Sequence, residues 1–112
     1  MLIIVHLSLM TAALLCLIAG IGTAMFGRRK KNWLALHKRI NSTGVIILAA
    51  GGAAAFVSVV VSESLHLAGL HQWFGITAIM LCGLTWGLGL YSFKVKNKAA
   101  MRTIHRQSGR LA

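Results

Sequence analysis

Four histidines carry the most pointed chemistry in this chain: His6, His37, His71 and His105. Arg28 and Lys94 open two basic clusters, and His6 precedes Arg28 by almost the same interval as His71 precedes Lys94. His37 and His105 lie inside those clusters. If the intervening segments cross a membrane as helices, His6 and His71 share one depth and His37 and His105 share another. Imidazoles are costly in lipid and normally face a bundle interior. Two of them, from different helices at one depth, suit bis-histidine ligation of haem iron. Two such layers point to electron transfer across a membrane.

The elements that must hold these residues are readable from composition. The chain has 112 residues, is 57% hydrophobic and contains no proline. Residues 2–27, 40–62 and 64–93 contain no Lys, Arg, Asp or Glu. About 20 apolar residues suffice for a helix to cross the hydrocarbon core. Lipid offers no hydrogen bonds to the backbone, so such segments are helices rather than open strands. The sequence therefore predicts an all-α integral membrane protein, a helical bundle in one membrane-embedded domain. Its spans are expected at approximately 2–26, 40–61 and 67–93.

A formal charge of +11 in a soluble protein would suggest nucleic acid. Its placement suggests a membrane instead. Arg28, Arg29, Lys30, Lys31, Lys38 and Arg39 lie between the first two spans. Lys94, Lys96, Lys98, Arg102, Arg106 and Arg110 follow the third. The loop between spans two and three has no cation and holds Glu63, the sole acid. Positive-inside bias then puts the basic loops in the cytoplasm and the N-terminus outside, with anionic membrane lipids as partners. The N-terminal segment lacks the charged start of a secretory signal and is read as an anchor.

The tail, residues 97–112, repeats a cation every four positions at Lys98, Arg102, Arg106 and Arg110. It is expected to be a short basic amphipathic helix lying in the interface, or the first turns of a fourth span. Cys16 and Cys82 offer no disulfide framework and no C-x-x-C-H haem attachment, and are read as small apolar fillers.

Heptad steps show what accompanies each histidine. His6 leads to Ala13, Gly20 and Gly27; His37 leads to Gly44, Gly51 and Ser58; His71 leads to Ala78, Thr85 and Ser92. All nine are small. Such stripes give a flat macrocycle clearance, and they equally serve plain helix packing in membranes. His71–Gly75 and His105–Gly109 are both H-x-x-x-G, with the glycine one turn from the imidazole. Lys38, Arg39 and Arg106 adjoin ligand candidates and can pair with haem propionates or with lipid headgroups. His66 is read as a surface residue, with substitution for His71 or assistance of proton exchange near the outer haem as its alternative roles.

Three runs of residues resemble the cytochrome b561 superfamily. The run from Trp33 through His37, Lys38 and Arg39 to Gly44 resembles its second core helix. His71-Gln-Trp-Phe-Gly75 is similar to its H-x-x-L-G segment, and His105-Arg-Gln-Ser-Gly109-Arg110 to its H-R-x-x-G-R segment. His6 stands where the first core helix carries its histidine. The resemblance covers nearly the whole chain. It implies four core helices and two haem b groups, His6 pairing with His71 outside and His37 with His105 inside. It also implies electrons arriving from a cytoplasmic reductant such as ascorbate, and, for many bacterial relatives, a place within a larger redox chain; entry from a quinol near Lys38, Arg39 and Arg106 is a further expectation. A bacterial inner membrane is the expected setting. The sequence ends seven residues after His105, where the family continues through a full helix. Another subunit, a second copy or further sequence beyond Ala112 is expected to cover the inner haem; otherwise only the outer haem is bound.

The competing reading is a haem-free accessory subunit of a membrane complex. It explains the small stripes and leaves the matched histidine depths as coincidence. A small exporter needs an acid within a span, and none of the spans has one. Nothing in the chain forms the acid–base constellation of a hydrolytic or group-transfer enzyme. Electron transfer is the one oxidoreductase role in view.

Overall fold

A computed structural model of the chain describes residues 1–62 and 68–111. Glu63 and His66 lie outside the described residues. Four helices follow one another: α1 (Leu2–Phe26), α2 (Trp33–Val61), α3 (Leu70–Tyr91) and α4 (Lys98–Leu111). The first three are long and apolar enough to cross a membrane. Their large side chains, among them Ile3, Leu7, Leu15, Ile46, Phe56 and Met80, are mostly exposed on the isolated chain. A helix that is apolar all round makes sense only against lipid.

α1 matches the expected span, and α3 is shorter than expected at both ends. α2 starts earlier, at Trp33 rather than residue 40. The expectation followed hydropathy, and Lys38 and Arg39 ended the apolar run. Charge excludes residues from lipid and not from helices, since Lys and Arg are good helix formers. His37 consequently sits on a helix and not in a loop.

Two compact units make up the chain, Met1–His66 and Leu67–Ala112. The first is an antiparallel pair, α1 against α2. A Cβ built on Gly44 would come within 3.1 Å of Cys16 and Leu17, and one on Gly51 within 2.9 Å of the Met10 sulfur. At the other end, a Cβ on Gly20 would run into the Asn41 side chain. Ala13 and Leu48 complete the buried seam. Without a hydrophobic drive between helices in lipid, close backbone approach over small residues supplies the contact. Gly27 ends α1, its N–H bonding the Thr23 carbonyl, and a short basic turn leads into α2.

The second unit is α3 with α4. The Asn97 side chain accepts a bond from the Ala100 N–H (3.2 Å), capping the start of α4. From there α4 runs back along α3. A Cβ on Gly89 would lie 2.8 Å from the His105 ring, and one on Gly109 would touch Thr85 at 3.5 Å. One turn forward on α4 thus meets residues one turn back on α3. The tail packs antiparallel to α3, as the start of a further helix would. A helix lying flat on the interface would not meet α3 in this register. Lys98, Arg102, Arg106 and Arg110 are exposed.

Candidate functional site

Three of the histidines are held by backbone carbonyls of neighbouring helices. His6 Nδ1 lies 2.9 Å from the Gly51 carbonyl oxygen, and His37 Nδ1 lies 2.7 Å from that of Gly20. In the second unit, His105 Nδ1 lies 2.7 Å from the Thr85 carbonyl oxygen. A carbonyl can only accept, so each Nδ1 carries the proton and donates. In a neutral imidazole that makes Nε2 the nitrogen with the lone pair. A histidine ligand whose other ring nitrogen donates to a carbonyl has its tautomer and ring orientation fixed for a metal. All three rings are half-buried.

The register behind these bonds is regular. His6 and Gly20 stand two heptads apart on α1, as do His37 and Gly51 on α2. Running antiparallel, the two helices turn that shared offset into reciprocal bonds, His6 to Gly51 and His37 to Gly20. The bonds stand at opposite ends of the seam, separated by a helical rise of about 21 Å. On α3, the same two-heptad offset separates His71 from Thr85, and Thr85 receives His105 as Gly20 receives His37. His71 therefore occupies, in the second unit, the register position that His6 occupies in the first. It lies in the first turn of α3, exposed on the isolated chain.

The small stripes have a double use. Gly20, Gly44 and Gly51 are buried between α1 and α2, so helix packing accounts for their size. Gly44, read from sequence as a residue beside the cofactor, has its bare side against Cys16 and Leu17. Gly75 differs: a Cβ there would meet nothing within 4 Å among the described residues, but the same holds for Gly83 and Gly87 on α3. Lys38, Arg39 and Arg106 are exposed.

Three features escaped the sequence. The glycines flagged for clearance at Gly20 and Gly51 supply carbonyls, a role that leaves no mark on residue type. Gly89 gives room to the His105 ring. Asn41 lies one turn beyond His37, its Nδ2 donating to the His37 carbonyl at 3.0 Å. The signal for Asn41 was present, a carboxamide within an apolar span at i+4 from a histidine. Trp33 stands on the other side of His37, its ring 6.3 Å away by centroid, with the Arg28 guanidinium over the indole at 5.8 Å.

Thr85 also carries a buried hydroxyl with no hydrogen-bond partner among the described residues. A buried hydroxyl of this kind retains its desolvation cost, whereas the backbone carbonyl does the holding. Thr85→Val, which keeps the shape, is expected to leave haem content intact and to raise stability by about 1 kcal/mol. Thermal unfolding in detergent, followed by circular dichroism, checks this; a clear loss of stability would show that the hydroxyl is bonded.

Membrane-length helices bearing imidazoles with fixed tautomers fit the class of integral membrane proteins that hold haem between helices. Three or more His, Cys, Asp or Glu grouped as a metal site are not found among the described residues, and haem asks the protein for only two axial ligands. The family comparison agrees with this class. A family model described as eukaryotic cytochrome b561 matches residues 1–111, and the chain belongs to that family. It is thus a membrane protein of the b-type cytochromes that transfer electrons across membranes. The family description is eukaryotic and lends nothing to the expected bacterial inner membrane. No curated protein and no solved structure matches the chain.

Proposed function

We propose that this protein carries electrons between two b-type haems on opposite sides of a membrane, one held by His6 and His71, the other by His37 and His105. The observation that carries the reading is the set of Nδ1–carbonyl bonds at His6, His37 and His105. Each presets the tautomer in which Nε2 ligates iron. The shared two-heptad register adds His71 to the set. Bound haem supplies a one-electron ferric/ferrous couple. The chain's own contribution is to fix the imidazoles, to exclude water with an apolar wall, and to set cations nearby.

Lys38, Arg39 and Arg106, on the same helices as His37 and His105, are the proposed partners of propionates on the basic side. Charge placement supports a cytoplasmic location for that side and an outer N-terminus. A quinol or an ascorbate-like molecule is the proposed reductant there. Other redox subunits or further copies of the chain are the proposed partners in the membrane.

The haem-free accessory subunit is favoured by one observation, the use of Gly44 and Gly51 as packing surfaces. A reduced-minus-oxidised spectrum of protein purified from haem-replete cells separates the readings. A b-type α-band with low-spin bis-histidine character is expected. Colourless, well-folded protein would leave only the accessory role.

A further inference from the structure

His37 is gripped by more than the Gly20 carbonyl. Asn41 Nδ2 lies 3.0 Å from His37 Nδ1 and 3.5 Å from His37 Nε2. Nδ1 already donates to the Gly20 oxygen, so it has no lone pair to accept from the amide. An amide nitrogen this close to both ring nitrogens cannot lie in the ring plane without overlapping Cε1. It lies over the ring face, where an N–H meets the π cloud. Its other restraint is the bond to the His37 carbonyl at 3.0 Å. The carboxamide thereby wedges between the imidazole face and α1.

The wedge has a matching slot. Gly20 is buried, and a Cβ built there would collide with the Asn41 carboxamide. Gly20 therefore does two things: its carbonyl takes the edge of the ring, and its missing side chain admits the group that covers the face. Gly22, two residues on, has nothing within 4 Å of a built Cβ among the described residues.

We propose that Asn41 is a positioning residue for His37, setting the rotation of the imidazole plane about the axis to the metal, and that Gly20 is glycine to house it. This rests on His37 being a haem ligand. The Gly20 carbonyl at the ring edge fixes the tautomer, and the amide on the ring face restrains its rotation.

The test uses the purified holoprotein and four variants: Asn41→Ala, Gly20→Ala, the double variant, and His37→Ala. Ferric low-spin EPR signals depend on the mutual orientation of the two axial imidazole planes, so they report the rotation directly. His37→Ala is expected to abolish one signal and thereby identify it. Asn41→Ala and Gly20→Ala should each shift and broaden that signal, leaving the other haem's signal unchanged. Each should also speed haem loss to apomyoglobin from that site by about 10-fold or more, the usual effect of removing an outer-shell partner. Once Asn41 is gone the Gly20 slot has nothing to exclude. The double variant should therefore match either single within about twofold, far from multiplicative. If Asn41→Ala does not accumulate, Asn41→Leu keeps the volume without the amide and should move the same signal. An unmoved His37 signal in Asn41→Ala or Asn41→Leu overturns the proposal, as does a multiplicative double variant. Retention of both signals by His37→Ala would remove the ligand assignment itself, a failure the Asn41 variants cannot imitate.

Discussion

On the proposed two-haem reading, replacing His37 by alanine is expected to lower the haem content from two per chain to about one, measured as pyridine haemochrome against protein. His6→Ala should do the same, and the haem lost should be the other one. The independence of the two losses follows from the α1–α2 register. His6 bonds Gly51 and His37 bonds Gly20, at ends of the seam separated by two heptads. At about 21 Å apart, the two sites lie well beyond the range over which substitutions couple. Each variant also forfeits one interhelical hydrogen bond, about 1 kcal/mol, which should not unfold the hairpin. The surviving haem then serves as an internal control for folding. His105→Ala is expected to reproduce the His37→Ala spectrum and His71→Ala that of His6→Ala. A variant that keeps both haems takes its histidine off the ligand list, and if all four keep them the accessory-subunit reading stands.

Much of this arrangement could be read from residue types, for reasons that also mark where reading stops. Uncharged runs and the need for internally satisfied backbone located three helices, because lipid leaves no other choice. Hydropathy could not locate the start of α2. The helix continues through Lys38 and Arg39, which end the membrane span but not the helix. The heptad stripes contain Gly20, Gly51 and Thr85, whose carbonyls meet three of the histidines. Small side chains were legible as space, whereas the structure uses those same residues also for their carbonyls. Every residue has a carbonyl, and only packing decides which one faces an imidazole. Asn41 was visible as an oddity in an apolar run, and its role needed the position of α1 to make sense.

Gly44→Ile is expected to weaken both proposed haem sites at once, although the nearest neighbours of a Cβ at Gly44 are Cys16 and Leu17 and not a histidine. Gly44 lies midway along the seam, one heptad from His37 and one from Gly51. A Cβ there would come within 3.1 Å of the Cys16 Cβ and of the Leu17 side chain. The Leu17 tip can turn aside, but the Cys16 Cβ is fixed to its backbone and cannot. A single methyl already demands a few tenths of an ångström, and a branched side chain demands more, so α1 and α2 must part. Both reciprocal bonds lengthen when they do, because one lies on each side of Gly44. Losing the carbonyl from a ligand histidine costs about 10–100-fold in metal affinity. The variant should therefore lose both haems to apomyoglobin faster by factors in that range. Gly22→Ile is the matched control, since a Cβ on Gly22 meets nothing within 4 Å among the described residues. It should keep both haems and gain slightly in helix stability, by about 0.5 kcal/mol over glycine. Loss of one haem alone from Gly44→Ile would mean that the two ends of the seam respond separately. The reciprocal register would then be a coincidence of spacing, and each histidine would owe its orientation to its own surroundings.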